Sequence, residues 1–222
     1  MLEKSKKIIE KNLKWIIVFF CLLAFLAIAE DVFNQDIMKC DTFAYNIIVK
    51  QMRFDFLTVI MKVITNFGSA ISIIIISLLS VIFIKDKKVS ASVIINIILV
   101  TILNQVLKNI LQRPRPDGFR LISESGYSFP SGHSMVSMAF YGLFIYLAYT
   151  KIENKNLRSI VCILLSILVV LIGFSRIYLG VHYASDVLGG FLISMSYLIV
   201  FVEIVPKLLN LKGGNKDEKI DK

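Results

Sequence analysis

Histidine occurs twice, tryptophan once, cysteine three times and proline four times in this chain of 222 residues. The cysteines, Cys21, Cys40 and Cys162, are odd in number and follow no spacing pattern, which excludes a disulfide framework or a cysteine metal cluster. Charge is scarce as well: Asp, Glu, Lys and Arg make up 18% of the residues against 56% hydrophobic ones. A water-soluble domain of this length keeps far more of its surface polar, so that class is excluded. Acidic residues are the scarcer sign, 16 against 25 Lys and Arg, for a net charge of +9. An excess of this kind serves nucleic acid where basic and aromatic residues interleave along a groove. Neither tail nor any loop shows that interleaving, so no nucleic-acid partner is expected.

What the chain has is apolar blocks. A bilayer core is about 30 Å thick and takes roughly 17–25 apolar helical residues to cross. Trp15 to Ala29, Gly68 to Ile84, Val89 to Leu107, Ser134 to Thr150, Ser159 to Ser175 and Val187 to Val205 approach or reach that length. The expected fold is therefore all-α, an integral membrane protein of six transmembrane helices forming a single domain, 1–222. Residues 30–67 mix Asp31, Asp36, Asp41, Lys50, Arg53 and Asp55 with apolar residues at helical spacing, which predicts interfacial helices between the first two spans. The basic start and the Ala27-Ile28-Ala29 stretch also match a cleavable leader. The five further blocks favour a retained first span, and cleavage leaves the topology of the rest unchanged.

The N-terminal tail 1–14, the connectors 85–88 and 151–158, and the C-terminal tail 207–222 carry 5, 3, 3 and 5 Lys or Arg, sixteen of the 25. Short basic segments stay cytoplasmic. Both termini are thus expected inside a cytoplasmic membrane, with residues 30–67, 108–132 and 176–186 on the extracytoplasmic face.

The unusual polar residues all fall on that second face, in three blocks. They are Lys108 to Pro116, with the doubled Arg113-Pro114-Arg115-Pro116; Pro130-Ser131-Gly132-His133; and Ser175-Arg176 followed by His182 and Asp186. Lys108, Arg115 and Arg176 are fixed cations, and a guanidinium fork matches two phosphate oxygens at once. Ser131 and Gly132 open a helix, where unpaired N–H groups favour an anion and a missing Cβ allows close approach. Together they outline a cage for a tetrahedral anion, the kind of charge that stabilises phosphoryl transfer. His182 and Asp186 are four apart and share a face if the turn is helical, so the carboxylate can hold one ring nitrogen and leave the other free to attack phosphorus. His133 is then placed to give its proton to the leaving group.

Plainer readings exist for each residue taken alone. A lysine at the end of a span snorkels or complements a helix C-terminus. The Arg-Pro repeat makes a stiff loop. His182 and Asp186 could be two zinc ligands, although the surrounding cations repel a dication. It is the coincidence of both histidines with three cations that favours chemistry.

The three blocks resemble the type 2 phosphatidic acid phosphatase superfamily, whose pattern is Lys, six residues, Arg-Pro; Pro-Ser-Gly-His; and Ser-Arg, five residues, His, three residues, Asp. Pro-Ser-Gly-His alone arises by chance in roughly one chain in a thousand of this size. The resemblance implies hydrolysis of a lipid phosphate without metal or other cofactor, with His182 as nucleophile, Asp186 orienting it and His133 as acid. Lys108, Arg115, Ser131, Gly132 and Arg176 would bind the substrate phosphate. The doubled Arg-Pro leaves Arg113 as a second, shorter register, and six intervening residues favour Arg115. Ala184 stands where the pattern often has proline. Undecaprenyl diphosphate, phosphatidylglycerol phosphate and phosphatidic acid are the substrates the resemblance suggests. A non-catalytic lipid or anion transporter is the competing class, and a vanadate-dependent haloperoxidase a third; clustering of the polar residues at one surface disfavours transport.

Overall fold

The computed structural model describes residues 2–208, with side chains from 12 to 205; the C-terminal tail expected over 207–222 lies almost wholly outside them. Among the described residues the regular structure is all helical. α1 covers Leu2–Phe33, so the basic segment expected as a tail begins the first helix. A six-residue α2, Lys39–Ala44, runs into a π-helical turn, Tyr45–Val49. α3 (Asp55–Asn66) and α4 (Ala70–Phe83) follow, then α5 (Lys87–Leu111), α6 (Gly132–Lys151), α7 (Lys155–Tyr178) and α8 (Ala184–Leu208).

Among the described residues, four helices are long and apolar enough to cross a membrane: Asn12–Phe33, Lys87–Leu111, Lys155–Tyr178 and Ala184–Val205. The expected span Gly68 to Ile84 is different in kind. α4 has 14 residues, about 21 Å of helix, too short to cross alone. It reaches span length only with α3, to which it joins at a 49° bend, giving a fifth candidate. The bend sits at Gly68, where a Cβ would lie 2.6 Å from Ile172 Cγ2 and 3.2 Å from His133 Cδ2.

α6 is expected as a span but is less apolar than those four helices, and its place in the bundle gives the reason. It packs against α5, α7 and α8, and nine of its residues are buried, Ser134 and Ser137 among them. Its environment is protein, so serines and glycines take the place of lipid-facing aliphatics. Gly142 is one such position, since a Cβ there would strike Leu198 Cδ2 at 2.5 Å. Polar groups stitch the centre: Asn96 Nδ2 donates to Ala139 O (2.8 Å) and Ser194 Oγ to Met135 O (2.9 Å). Interhelical bonds of this type join helices where no hydrophobic driving force exists between them.

The main core comprises Ile73, Val93, Phe140, Tyr141, Leu143, Val169, Ile172, Leu198 and Phe201, drawn from α4 to α8. The outer faces are equally apolar, with Phe19, Phe20, Ile71, Ile82, Leu164 and Val170 all more than half exposed. α1 packs along α8, and Lys14 pairs with Glu203 near the far end of both. The first helix is thus an integral part of the bundle.

Candidate functional site

α5 and α7 finish at the same end of the bundle at which α6 and α8 begin, and this brings the three sequence blocks together. α5 stops at Gln112, whose left-handed backbone (φ 43°) caps the helix by donating its N–H to Lys108 O. The Arg113-Pro114-Arg115-Pro116 stretch cannot continue it. Proline lacks the N–H, and a residue before proline is driven to extended backbone. Residues two apart in an extended segment share a side, and both arginines accordingly face the turn 181–186.

Arg115 Nη1 donates to Val181 O (2.9 Å) and lies 3.0 Å from His182 Nε2. Its Nε and Nη2 are anchored on Gly126 O and Ser125 O, both at 3.0 Å. Arg113 goes elsewhere. It is buried, with Nη1 donating to Asp186 Oδ1 (2.7 Å) and Ser185 Oγ (2.7 Å), and Nη2 to Asp41 Oδ2 (2.8 Å). Asp186 and Asp41 outweigh the cost of burial, so its pKa is raised above the ordinary value. Its donors are committed to carboxylates.

His182 sits in the turn between α7 and α8, 3% exposed. The turn depends on Gly180, with φ +75°, where a Cβ would meet Phe119 O at 2.5 Å. Arg53, from the segment after the π-helical turn, clamps the same turn by donating to Tyr178 O and Phe119 O. His182 Nδ1 lies 3.3 Å from Asp186 Oδ2 and 3.2 Å from Ser128 Oγ, and Ser128 Oγ donates to that same Oδ2 at 2.5 Å. Since an arginine N–H can only donate, Nε2 is the accepting nitrogen and Nδ1 carries the proton toward Asp186. Burial pushes the His182 pKa down to about 4, against the opposing pull of Asp186 and with help from Arg176 and Arg115. The ring is therefore neutral at neutral pH.

Arg176, 1% exposed, donates from Nη1 to Thr65 Oγ1 (2.8 Å) and from Nη2 to Glu124 Oε1 (2.5 Å). Its Nε is buried with no partner among the described residues. Burial works to raise the Glu124 pKa, and the Arg176 charge and hydrogen bond outweigh it, so Glu124 stays below the ordinary carboxylate value. Lys108 Nζ bonds Tyr127 O and, at 3.4 Å, Ser128 O.

The Pro-Ser-Gly-His block opens α6. Ser131 is its N-cap: the hydroxyl accepts from Ser134 N (3.4 Å) and Ser134 Oγ (2.9 Å). Its own N–H bonds Asp186 O, tying α6 to α8. Gly132 is needed for packing in the first place, since a Cβ there would lie 3.1 Å from Asn104 Oδ1 and 4.0 Å from the Lys108 stem. The His133 ring packs against Gly68 and makes no hydrogen bond to the described residues.

The structure thus gathers all eight residues singled out from the sequence at one end of the bundle. It adds Asp41, Thr65, Arg113, Glu124, Ser128 and Ser185. Of these Arg113 carried a sequence signal through the doubled Arg-Pro, and Thr65 through the stretch Thr65 to Ser69, which also resembles bacterial members of the superfamily. The others are joined to the site by bonds across 52 to 144 residues, a separation no local pattern encodes.

Comparison with known proteins identifies the family. Residues 90–209, which contain all three blocks, match the family model described as PAP2 superfamily. The chain is 43% identical over 103 residues to phosphatidylglycerophosphatase B of Bacillus subtilis, covering 46% of this chain and 49% of that protein, so it spans about half that relative's length. It is 28% identical over 152 residues to an undecaprenyl-diphosphatase of Sulfolobus acidocaldarius, covering 65% and 69%. The crystal structure of a transmembrane PAP2-type phosphatidylglycerolphosphate phosphatase from Bacillus subtilis superimposes with a TM-score of 0.74 at 28% identity, covering 86% of this chain and 96% of that one. On the family match and the site that accompanies it, the chain belongs to the PAP2 superfamily.

Proposed function

We propose that the chain is a multi-pass membrane enzyme that hydrolyses a lipid phosphate or diphosphate through a phosphohistidine. The observation that carries this reading is the placement of His182: buried, with Nδ1 turned to Asp186 and Nε2 presented beside Arg115. A neutral imidazole oriented by a carboxylate is a nucleophile ready to act.

Phosphate oxygens take the N–H groups of Arg115 that now face His182, the unpartnered Nε of Arg176, and Lys108. The N–H groups of Gly132 and His133, at the start of α6 where no intrahelical acceptor exists, complete the cage. Ser131 serves it as the cap that shapes the helix start. Nε2 attacks the terminal phosphorus; an N–P bond forms as the P–O bond to the leaving group breaks, the lipid oxygen in a monophosphate and the bridging oxygen of the lipid monophosphate in a diphosphate. His133 hands its proton to the departing oxygen, the anion's charge favouring the protonated ring. Water then attacks the phosphohistidine with His133 as base, releasing inorganic phosphate and restoring neutral His182. The chemistry needs no metal.

An apolar cavity of about 230 Å³ beside His182 suits the lipid side of the substrate. It is lined by Ile37, Tyr45 and Val49 from the α2 region and by Pro116, Phe119 and Ile177. Phosphatidylglycerol phosphate, undecaprenyl diphosphate and phosphatidic acid all present an anion joined to an apolar tail. With α6 counted as a protein-surrounded span, the single domain crosses six times. Both termini then lie in the cytoplasm of a cell with the site on the outer face of its plasma membrane, as the basic connectors require.

The test is phosphate release by detergent-purified protein in excess EDTA, from phosphatidylglycerol phosphate and undecaprenyl diphosphate, with His182→Ala as control. Release that survives EDTA and vanishes in the variant supports the reading. Release abolished by EDTA, or retained in the variant, overturns it.

A further inference from the structure

Arg113 has no place in the phosphate cage, and its surroundings show where it acts. It is 5% exposed and lies between two carboxylates: Asp186 Oδ1 at 2.7 Å and Asp41 Oδ2 at 2.8 Å. Its guanidinium also covers the ring of Tyr183, 4.1 Å from the centroid. Asp41, 3% exposed on the short α2, accepts in addition from Ser185 N–H (2.8 Å) and Ser185 Oγ (2.7 Å). Ser185 Oγ in turn accepts from Arg113. One closed set of bonds therefore joins α2, the Arg-Pro segment and the first turn of α8.

Its effect falls on the Asp186 carboxylate. Oδ1 is taken by Arg113; Oδ2 receives Ser128 Oγ (2.5 Å), the Tyr183 N–H (2.8 Å) and faces His182 Nδ1 (3.3 Å). With a fixed cation on one oxygen, the carboxylate cannot rotate, and the oxygen facing the imidazole is always Oδ2. The arrangement is asymmetric in charge. One guanidinium serves two buried carboxylates, so Asp41 draws off part of the positive field that Asp186 feels. A purely structural ion pair needs only one of them.

We infer that Arg113, held and partly neutralised by Asp41, is a positioning residue for the Asp186–His182 pair, setting both the orientation of the carboxylate and the negative charge that reaches the imidazole. The kinetic part of this inference rests on the phosphatase reading above; the electrostatic part stands without it. A lysine cannot replace Arg113, because a single ammonium lacks the fork that spans two carboxylates.

The two members of the device act on His182 in opposite directions. Arg113→Gln removes a cation and leaves Asp186 more negative, so the imidazolium is better stabilised and His182 protonates at higher pH. Asp41→Asn leaves the Arg113 charge wholly to Asp186, so His182 protonates at lower pH. The other titratable and charged groups about His182 are unchanged in both variants: Arg115 and Glu124 from the loop after α5, Arg176 on α7, the neutral His133 at the start of α6, and Arg53 on the turn.

Because the chain has only two histidines, ¹⁵N-histidine NMR of the whole protein in detergent follows His182 directly, with His133→Asn to assign the signals. The expected result is an upward shift of the His182 titration by about one pH unit in Arg113→Gln and a downward shift in Asp41→Asn, with Nδ1-protonated tautomer lost in part in the first. Phosphate release from phosphatidylglycerol phosphate gives the kinetic arm: kcat lower by about 10- to 100-fold in Arg113→Gln and Arg113→Lys, with KM within about threefold. Identical His182 titrations in wild type and both variants overturn the inference. So does a KM that rises at constant kcat, which makes Arg113 a phosphate ligand. If wild-type protein releases no phosphate, the phosphatase reading fails, and the NMR shifts still decide whether Arg113 and Asp41 control His182.

Discussion

At the end of the bundle where α5 and α7 finish, Arg113, Arg176, Asp41 and Asp186 are each 5% exposed or less. At the opposite end, Lys14 and Glu203 pair with side chains 42% and 27% exposed, and Arg158 lies over the Tyr149 ring at 5.1 Å. The second end shows what charge does on an ordinary membrane protein surface. It marks a side of the membrane, and an exposed pair adds little, about 0–1 kcal/mol. The first end carries ionised groups at a heavy desolvation cost, with hydrogen bonds that leave one arginine nitrogen unmatched. Stability does not require that arrangement, since well-packed apolar residues often serve as well or better. Its justification is the geometry it enforces around His182.

The largest effect expected from breaking that geometry is at His182 itself. His182→Ala should lower kcat/KM by on the order of 10³-fold or more, as removal of a nucleophile does, with the protein still monodisperse by gel filtration in detergent. A loss of less than tenfold would place the nucleophile elsewhere. Next comes Gly180→Ala, two residues away. It forces an L side chain into φ +75° and against Phe119 O, a strain of about 1–3 kcal/mol. Relief shifts the turn that carries His182 against the Phe119 backbone and Arg53. A drop in kcat of about 10²-fold is expected, measured beside Gly126→Ala, where φ is +70° with open space around the added carbon and the backbone strain acts without the clash.

The same contrast shows what the sequence could and could not disclose. Lys108, Arg115, His133, Arg176, His182 and Asp186 were legible because each lies in a short block whose spacing is set by a helix end or turn. Apolar length disclosed the helices facing lipid for the same local reason. It misjudged Gly68 to Ile84, because the bend that lets α3 and α4 act together is defined by Ile172 and His133 on other helices. Asp41 was one of several acidic residues in a mixed segment, with nothing local to set it apart. Its meaning comes from Ser185 and Arg113, 144 and 72 residues away. Burial of charge is a tertiary property, and Asp41 is the residue it singles out that the sequence left anonymous.

A smaller effect concerns pH. Burial holds the His182 pKa at about 4, below the 6.5 of a free histidine, so the ring stays neutral well into the acid range. The acid limb of kcat/KM that His182 sets should therefore appear toward pH 4 and not near 6.5. The sign for stability is the same: the unfolded chain takes up its proton first, so the folded state loses stability as pH drops from about 6.5 to 4. Rates from pH 3.5 to 8 read the first effect and thermal unfolding the second; an acidic limb centred near 6.5 would mean that His182 is solvated.

The smallest effect belongs to the far end of the bundle. Lys14→Ala removes a half-buried pair with Glu203 that joins α1 to α8 but touches nothing in the site. Thermal stability should fall by no more than about 1 kcal/mol, and kcat and KM should stay within about twofold of wild type. The value of this variant lies in what a larger change would reveal. α1 reaches the site end through Phe25, stacked on Phe129 with ring centroids 5.7 Å apart, immediately before the Pro130-Ser131-Gly132-His133 block. If Lys14→Ala lowered kcat several-fold while leaving unfolding unchanged, the register of α1 against α8 would be setting the position of Phe129. The two ends would then be mechanically joined through the first helix, and the separation of topological charge from catalytic charge would fail.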